Sequence, residues 1–341
     1  MLHETLKSIK TEISSASDIE WKIIAVDDGS TDNSLEILTS WSNRLPLTIE
    51  QTNHTGSPAQ PRNRGIELAD TKYVYFLDAD DVLIEGGLSA AVSYAESTNS
   101  DVVVTRLVSL DGRGVPRGMF KENRQGVTLK DSRIYWALNP MKLIRRDLLI
   151  THSIHFDDAL SVGEDQPFSA LAYLKAEKVS ILASPPVVGV RYTKSGTNMT
   201  LQVKSSEKYF QLLDLMFKLL NDEKVSRITL NHICIRHWEI EIARELIWNS
   251  MPFHDSETWT STLAKLNMYS NNYLIPEMLP QTSIRWRGIV GLIGTQSYDD
   301  LISLINARKR ALNGGLLSRI RGHLTSNWIR LKATVKLPKN F

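Results

Sequence analysis

Tyr73-Val74-Tyr75-Phe76-Leu77-Asp78-Ala79-Asp80-Asp81 joins an apolar, β-branched and aromatic run to three carboxylates within four positions. The apolar part predicts a buried parallel strand. Carboxylates at the carboxyl end of such a strand lie in the crevice where open α/β sheets bind ligands. Acids this close repel one another, and a hard divalent cation or a partner cation among them relieves the repulsion. A divalent metal that also grips a diphosphate is the simplest fit. The plainer alternative is an acidic turn after a strand, with Asp81 capping a helix from Leu83 to Ala95.

Upstream, the same strand-to-helix pattern repeats. Leu2, Leu6 and Ile9 recur at helical spacing, and Trp21 to Val26 reads as a short strand. Asp27-Asp28-Gly29-Ser30-Thr31-Asp32 follows as an acidic turn before a helix from Leu35 to Trp41. Leu47 to Gln51 is a second strand, and the polar loop from Asn53 to Gln60 leads to Pro61-Arg62-Asn63, where Pro61 suits the first turn of a helix to Ala69. Three β/α units predict a doubly wound, mostly parallel sheet. Downstream, Asp101 to Val108 is β-branched, and Gly112 to Lys121 is a basic loop fit to form the lip of a cleft for an anionic partner. Met141 to Ile150 passes from strand to helix, and Glu164-Asp165-Gln166 stands at the start of a helix from Phe168 to Ala176, where Asp165 also suits a cap. Val179 to Leu182 and Val187 to Tyr192 are further strands, with Thr193 to Met199 as the loop after them.

From Ser206 the strand pattern gives way to helical faces: Tyr209, Phe210, Leu213, Met216, Phe217 and Leu220; then Ile233, Ile235, Trp238, Ile242, Leu246 and Ile247; then Leu263, Leu266 and Met268. The domains expected are residues 1–204 as the α/β unit, 205–305 as a helical module and 306–341 as a basic amphipathic tail. From Arg308 onward there are nine Lys/Arg and no Asp or Glu, so the chain's formal charge of +2 leaves −7 on residues 1–307. Such a tail suits an anionic lipid surface or polymer, or a solvated helix packed on the domain. No apolar run reaches membrane-spanning length and no signal-peptide core opens the chain, which predicts a cytoplasmic protein. The single cysteine, Cys234, lies between two isoleucines and reads as a buried hydrophobe. His152 and His155, and Trp238 and Trp248, read as structural.

Taken in order, the turn at 27–32, Pro61-Arg62-Asn63, Asp78-Ala79-Asp80-Asp81 and Glu164-Asp165-Gln166 resemble family-2 glycosyltransferases of the GT-A fold. Gly112-Arg113-Gly114-Val115-Pro116, Met119-Phe120-Lys121-Glu122 and Ser132-Arg133-Ile134 resemble, more narrowly, the wall teichoic acid enzymes that attach N-acetylglucosamine to poly(ribitol phosphate). The resemblance implies an inverting transfer from a UDP-sugar. It assigns Asp28, Asn53, Arg62, Asp78, Asp80 and Lys194 to the donor, Asp80 to Mn²⁺ or Mg²⁺, Asp165 to the general base with Glu164 positioning it, and Arg113 and Lys121 to the acceptor entrance. It also implies self-association through the helical module and a peripheral place at the inner face of the cell membrane. The expected partners are the UDP-sugar and an anionic polyol-phosphate polymer, and no nucleic acid.

Two departures from the family pattern carry expectations. Asn198 stands where relatives often supply a metal-binding His, and amide oxygen is a weaker ligand. The family also opens with an interior strand that precedes the first helix. Its loss leaves a row of backbone groups unpaired, so Met1 reads as an internal or misassigned start. The alternatives are a capsule or exopolysaccharide transferase with another donor, and a catalytically silent binding or assembly module. A nicotinamide dehydrogenase is disfavoured, because no GxGxxG follows a first strand.

Overall fold

The computed structural model describes residues 1–191, 205–274 and 276–313, and the chain divides into two compact units, Met1–Leu201 and Gln202–Phe341. In the first unit, helix α1 (Leu2–Ser15) packs Leu2, Leu6, Ile9 and Ile13 against Leu38, Trp41 and Leu45. Strand β1 (Ile23–Asp27), helix α2 (Ser34–Trp41) and strand β2 (Leu47–Gln51) form a parallel crossover unit, Ile23 opposite Leu47 and Asp27 opposite Gln51. Helix α3 (Ala59–Leu68) leads to β3 (Tyr73–Val74), β4 (Val82–Leu83) and α4 (Gly87–Thr98). There follow β5 (Val102–Thr105), β6 (Leu107–Ser109), β7 (Lys142–Arg145), α5 (Arg146–Thr151), α6 (Asp165–Lys175), β8 (Val179–Leu182) and β9 (Val188–Val190).

The pairing is mixed. One sheet has the order β3-β7-β5-β8, with β5 and β8 parallel and β7 antiparallel to both its neighbours. A smaller sheet, β4-β9-β6, sets β9 antiparallel to β4 and parallel to β6. Val102, Val103, Val104, Ile144 and Ile181 are buried at the centre, as strands covered on both faces require.

The run 73–81 departs from the buried parallel strand expected of it. Only Tyr73 and Val74 enter a ladder, antiparallel to β7, and residues 73–78 are half-buried. Residues 75–77 make no backbone-to-backbone hydrogen bond among the described residues. The physical reason is a gap. A cavity of about 1430 Å³ separates this run from β1, lined by Ile23, Ala25, Asp27, Tyr75 and Leu77 on the side of α1. A smaller one of about 240 Å³ borders Ile24, Val26, Val74 and Phe76 on the side of α3. β1 is hydrogen-bonded to β2 alone among the described strands.

Asp81 does not cap a helix. α4 starts at Gly87, and its first turn is capped from α1: the buried Glu12 carboxylate accepts from the amides of Gly86 at 2.5 Å and Ser89 at 2.7 Å. An acid from another element thus meets the positive end of the helix. α6 in turn starts three residues earlier than expected, which brings Asp165 into its first turn.

The second unit is helical. It comprises α7 (Ser206–Asp222), α8 (Arg227–His237) running into a π-helical stretch (Trp238–Ser250), α9 (Ser256–Tyr273), α10 (Ile284–Gly294) and α11 (Tyr298–Asn313). Tyr273 stacks on Phe217 at 4.0 Å and Tyr269 on Phe210 at 5.6 Å, while Trp238, Ile242, Leu246 and Leu266 close the core. Cys234 is fully buried, and burial pushes its thiol up to about 12, so it behaves as a hydrophobe. Met268 is exposed, because two residues beyond Leu266 a helix has turned about 200°. Arg308, Lys309 and Arg310 lie on α11, and the rest of the basic tail is outside the described residues. Among the described residues no helix is long and apolar enough to cross a membrane.

Candidate active site

The acids at 78–81 are held at the end of their run by α1. The buried Thr5 hydroxyl lies 2.9 Å from the carbonyl of Ala79 and 2.7 Å from that of Asp81, and the Ser8 hydroxyl accepts from the Leu83 amide at 3.0 Å. Asp81 is wholly buried, and its Oδ1 accepts from the Arg191 amide at 2.9 Å. Arg113 reaches the same place, 3.9 Å from Asp81 and donating to the Arg191 carbonyl at 3.3 Å. Burial, with Asp80 and Asp78 adding repulsion, pushes the Asp81 carboxyl up to about 6.

Arg62 joins this cluster to α6. Its guanidinium donates to Asp78 Oδ1 at 2.9 Å and to Glu164 Oε1 at 2.9 Å. Burial works against its charge, but Asp78, Glu164 and Asp165 outweigh burial and raise its pKa. Below the ion pairs the apolar contacts do the joining: Phe76 meets Phe156 edge-on at 5.2 Å and Phe168 at 5.6 Å, while Phe156 and Phe168 stack at 3.9 Å. Arg62 lies over the Phe156 ring at 5.4 Å. Asn63 pins the Phe156 backbone as a strand neighbour would, donating to its carbonyl and accepting from its amide, both at 2.8 Å. Phe76, Phe168, Arg62 and Asn63 come from three separate segments. Their packing brings the acids at 78–81 and those at 164–165 together around one guanidinium.

The other expected site residues are less uniformly placed. Asp28 stands at the end of β1 and lines the large cavity with Asp27 and Ala79. Its carboxylate accepts from the Thr55 amide and hydroxyl, each at 3.0 Å, and from the Gly56 amide at 3.3 Å, so it fastens the loop after β2. Gly29 (φ +71°) permits this, because a Cβ there would stand 2.9 Å from the His54 amide nitrogen. Asn53 and Lys121 are exposed. Lys194 and Asn198 lie outside the described residues. Sequence reasoning passed over Thr5, Glu12, Asn63 as a clamp, and Arg191. Their parts depend on contacts across 74 to 110 positions, for which no local pattern exists.

The acids suit a hard cation. Ligand oxygens of Asp78, Asp80 and Asp81 all lie within 4.8 Å of one another, and Asp81 Oδ2 is buried with no hydrogen-bond partner among the described residues. An all-oxygen set with an orphaned carboxylate oxygen fits Mn²⁺ or Mg²⁺ better than a soft metal.

The stretch that holds the β1 turn, the arginine on α3 and the acid triad has a match among known families. Residues 1–157 match Glycosyl transferase family 2. That match covers just under half of the chain. Over 198 residues it is 35% identical to the poly(ribitol-phosphate) β-N-acetylglucosaminyltransferase TarS of Staphylococcus aureus, an alignment covering 58% of this chain and 34% of TarS. It is 38% identical to a poly(ribitol-phosphate) β-glucosyltransferase of Bacillus spizizenii, covering 54% of this chain and 29% of that one. The chain thus spans about a third of the length of these curated relatives. S. aureus TarS 1–349 solved with UDP-GlcNAc superposes with a TM-score of 0.76 at 24% identity, covering 91% of this chain and 87% of that one. The first unit accordingly has the GT-A fold, and helices follow it in the chain.

Proposed function

We propose that the chain is an inverting glycosyltransferase that moves N-acetylglucosamine from UDP-N-acetylglucosamine to a hydroxyl of an anionic polyol-phosphate polymer of the wall teichoic acid type. The observation that carries this reading is the Arg62 bridge, which joins an acid of the strand end to one at the start of α6. The poly(ribitol-phosphate) acceptor printed in the relatives' names supports the acceptor class, and the UDP-GlcNAc complex of TarS supports the donor.

In this reading Asp165, at the mouth of α6, takes the proton of the acceptor hydroxyl while that oxygen attacks the anomeric carbon. The bond from that carbon to the diphosphate oxygen breaks on the opposite side, UDP leaves with the electron pair, and the anomeric configuration inverts. Glu164, held by Arg62, keeps Asp165 at its station. Asp78 faces the sugar and ribose, Asp28 and Asn53 flank the base, and Lys194 answers the charge growing on UDP. Asp80, with Asp78 and Asp81, would hold Mn²⁺ or Mg²⁺, which when bound would neutralise the departing diphosphate. Asn198 would add only a weak oxygen ligand. Arg113 and Lys121 give the acceptor's phosphates a basic entrance. The reaction belongs in the cytoplasm, with the cationic tail offering a hold on the inner membrane face.

The test is UDP release from UDP-N-acetylglucosamine with purified poly(ribitol phosphate), wild type against Asp165→Asn. A loss of roughly 10²–10⁴-fold with donor affinity kept is expected. Donor binding by the wild type without turnover, for any UDP-sugar offered, would instead identify a silent binding module.

A further inference from the structure

Lys142, on β7, is the only lysine among the described residues that is fully buried. Its ammonium donates to the Asn139 carbonyl and to Ser169 Oγ at 3.0 Å, and it lies 5.3 Å from the centre of the Tyr173 ring. Ser169 Oγ donates in turn to the Leu138 carbonyl at 2.8 Å, and Tyr173 OH to the Ala137 carbonyl at 2.7 Å. Asp165, Ser169 and Tyr173 are spaced four apart on α6, so all three stand on one face of the helix. The Ser169 and Tyr173 turns of that face are therefore tied to the 137–139 segment and the ammonium, and Asp165 opens the row. A buried ammonium is costly, and the Asp165 carboxylate offsets part of that cost for Lys142.

We propose that Lys142 is a positioning residue for Asp165: it fastens the Asp165-Ser169-Tyr173 face of α6 and supplies the buried positive charge against which the carboxylate is held. The inference rests on the reading of Asp165 as the base. A base mounted on the first turn of a helix is aimed by that helix, and half an ångström of drift weakens in-line attack. Arg62 from α3 and Lys142 from β7 both act electrostatically on Asp165, with Glu164 next to it in the chain, and the Lys142 ammonium also lies against the Tyr173 ring. Burial draws the Lys142 ammonium down to about 7, and Asp165 acts against that by drawing it up.

The experiment compares wild type, Lys142→Met, Ser169→Ala and Asp165→Asn. It reads UDP-N-acetylglucosamine affinity, turnover with polymer against pH, and the Asp165 carboxyl titration by carbon NMR. Lys142→Met is expected to bind the donor within about threefold of wild type, to lose at least about tenfold in turnover, and to raise both the acidic limb and the Asp165 titration by half a pH unit or more. Ser169→Ala is expected to slow turnover by severalfold without moving either, because the cation remains. Wild-type turnover and an unmoved Asp165 titration in Lys142→Met would overturn the proposal. Should Lys142→Met fail to fold, Ser169→Ala decides: wild-type turnover there overturns it. An active Asp165→Asn, by contrast, removes the base assignment itself.

Discussion

Arg62 Nη1 lies 2.9 Å from Glu164 Oε1, an ion pair between residues 102 positions apart, and the other arm of the same guanidinium holds Asp78. One planar fork thus spans two loops that would otherwise repel each other. Lysine offers a point charge and cannot make both contacts at that geometry. Arg62→Lys is therefore expected to lose at least about tenfold in UDP release, and Arg62→Ala about a hundredfold, with Arg62→Ala costing roughly 2–4 kcal/mol in urea unfolding because both acids lose their partner. Turnover within threefold of wild type in Arg62→Lys would show that the fork geometry is not needed.

Asp81 gives a pH prediction whose sign follows from its raised carboxyl, about 6 against the ordinary 3.8. A carboxyl raised by folding makes the native state bind more protons than the unfolded chain between those values. Its contribution to stability therefore grows as pH falls through 6 and is lost as pH rises above it. Asp81→Asn is expected to raise the Tm of the metal-free protein at pH 7.5, to abolish that part of the pH dependence, and to weaken Mn²⁺ binding at least about tenfold by calorimetry. In the wild type, Mn²⁺ affinity should fall between pH 7.5 and 5.5 as the proton competes for the same oxygen. A Tm at or below wild type in Asp81→Asn would contradict the strain ascribed to that buried charge.

Asn63 makes two 2.8 Å bonds to the backbone of the fully buried Phe156. Asn63→Ala leaves a buried amide and carbonyl unsatisfied and is expected to cost about 2–3 kcal/mol. Asn63→Asp keeps the acceptor but loses the donor, so it should recover part of that loss. Because Phe156 lies under Arg62, turnover should fall with both variants. Equal stability of Asn63→Ala and wild type in urea titration would refute the clamp.

Gly29 tests the backbone of the turn after β1. With φ at +71° and the His54 amide 2.9 Å from a notional Cβ, Gly29→Ala pays for both backbone strain and steric clash. A cost of about 1–3 kcal/mol is expected, with weaker UDP binding as the loop fastened by Asp28 shifts. Unchanged UDP affinity by calorimetry would separate that loop from the donor.

The elements were legible in sequence wherever a local period fixed them. The strand Leu47–Gln51 follows from its own apolar run, α1 from Leu2, Leu6 and Ile9, and the helical faces of the second unit from their spacing. The candidate acids were legible too, since clustered carboxylates at the ends of apolar runs mark the ligand-binding rim of an α/β sheet. Tertiary structure alone decided what those acids face. That Glu12 rather than Asp81 caps α4, that β7 enters antiparallel, and that the run at 73–78 stays half-buried beside an open gap all depend on which segments meet. The same holds for Lys142, which in sequence is one more polar residue and in the fold is a buried cation beneath α6. Period and propensity act over a few residues, whereas burial, ion pairing and carboxyl titration are set by neighbours that chain order does not name.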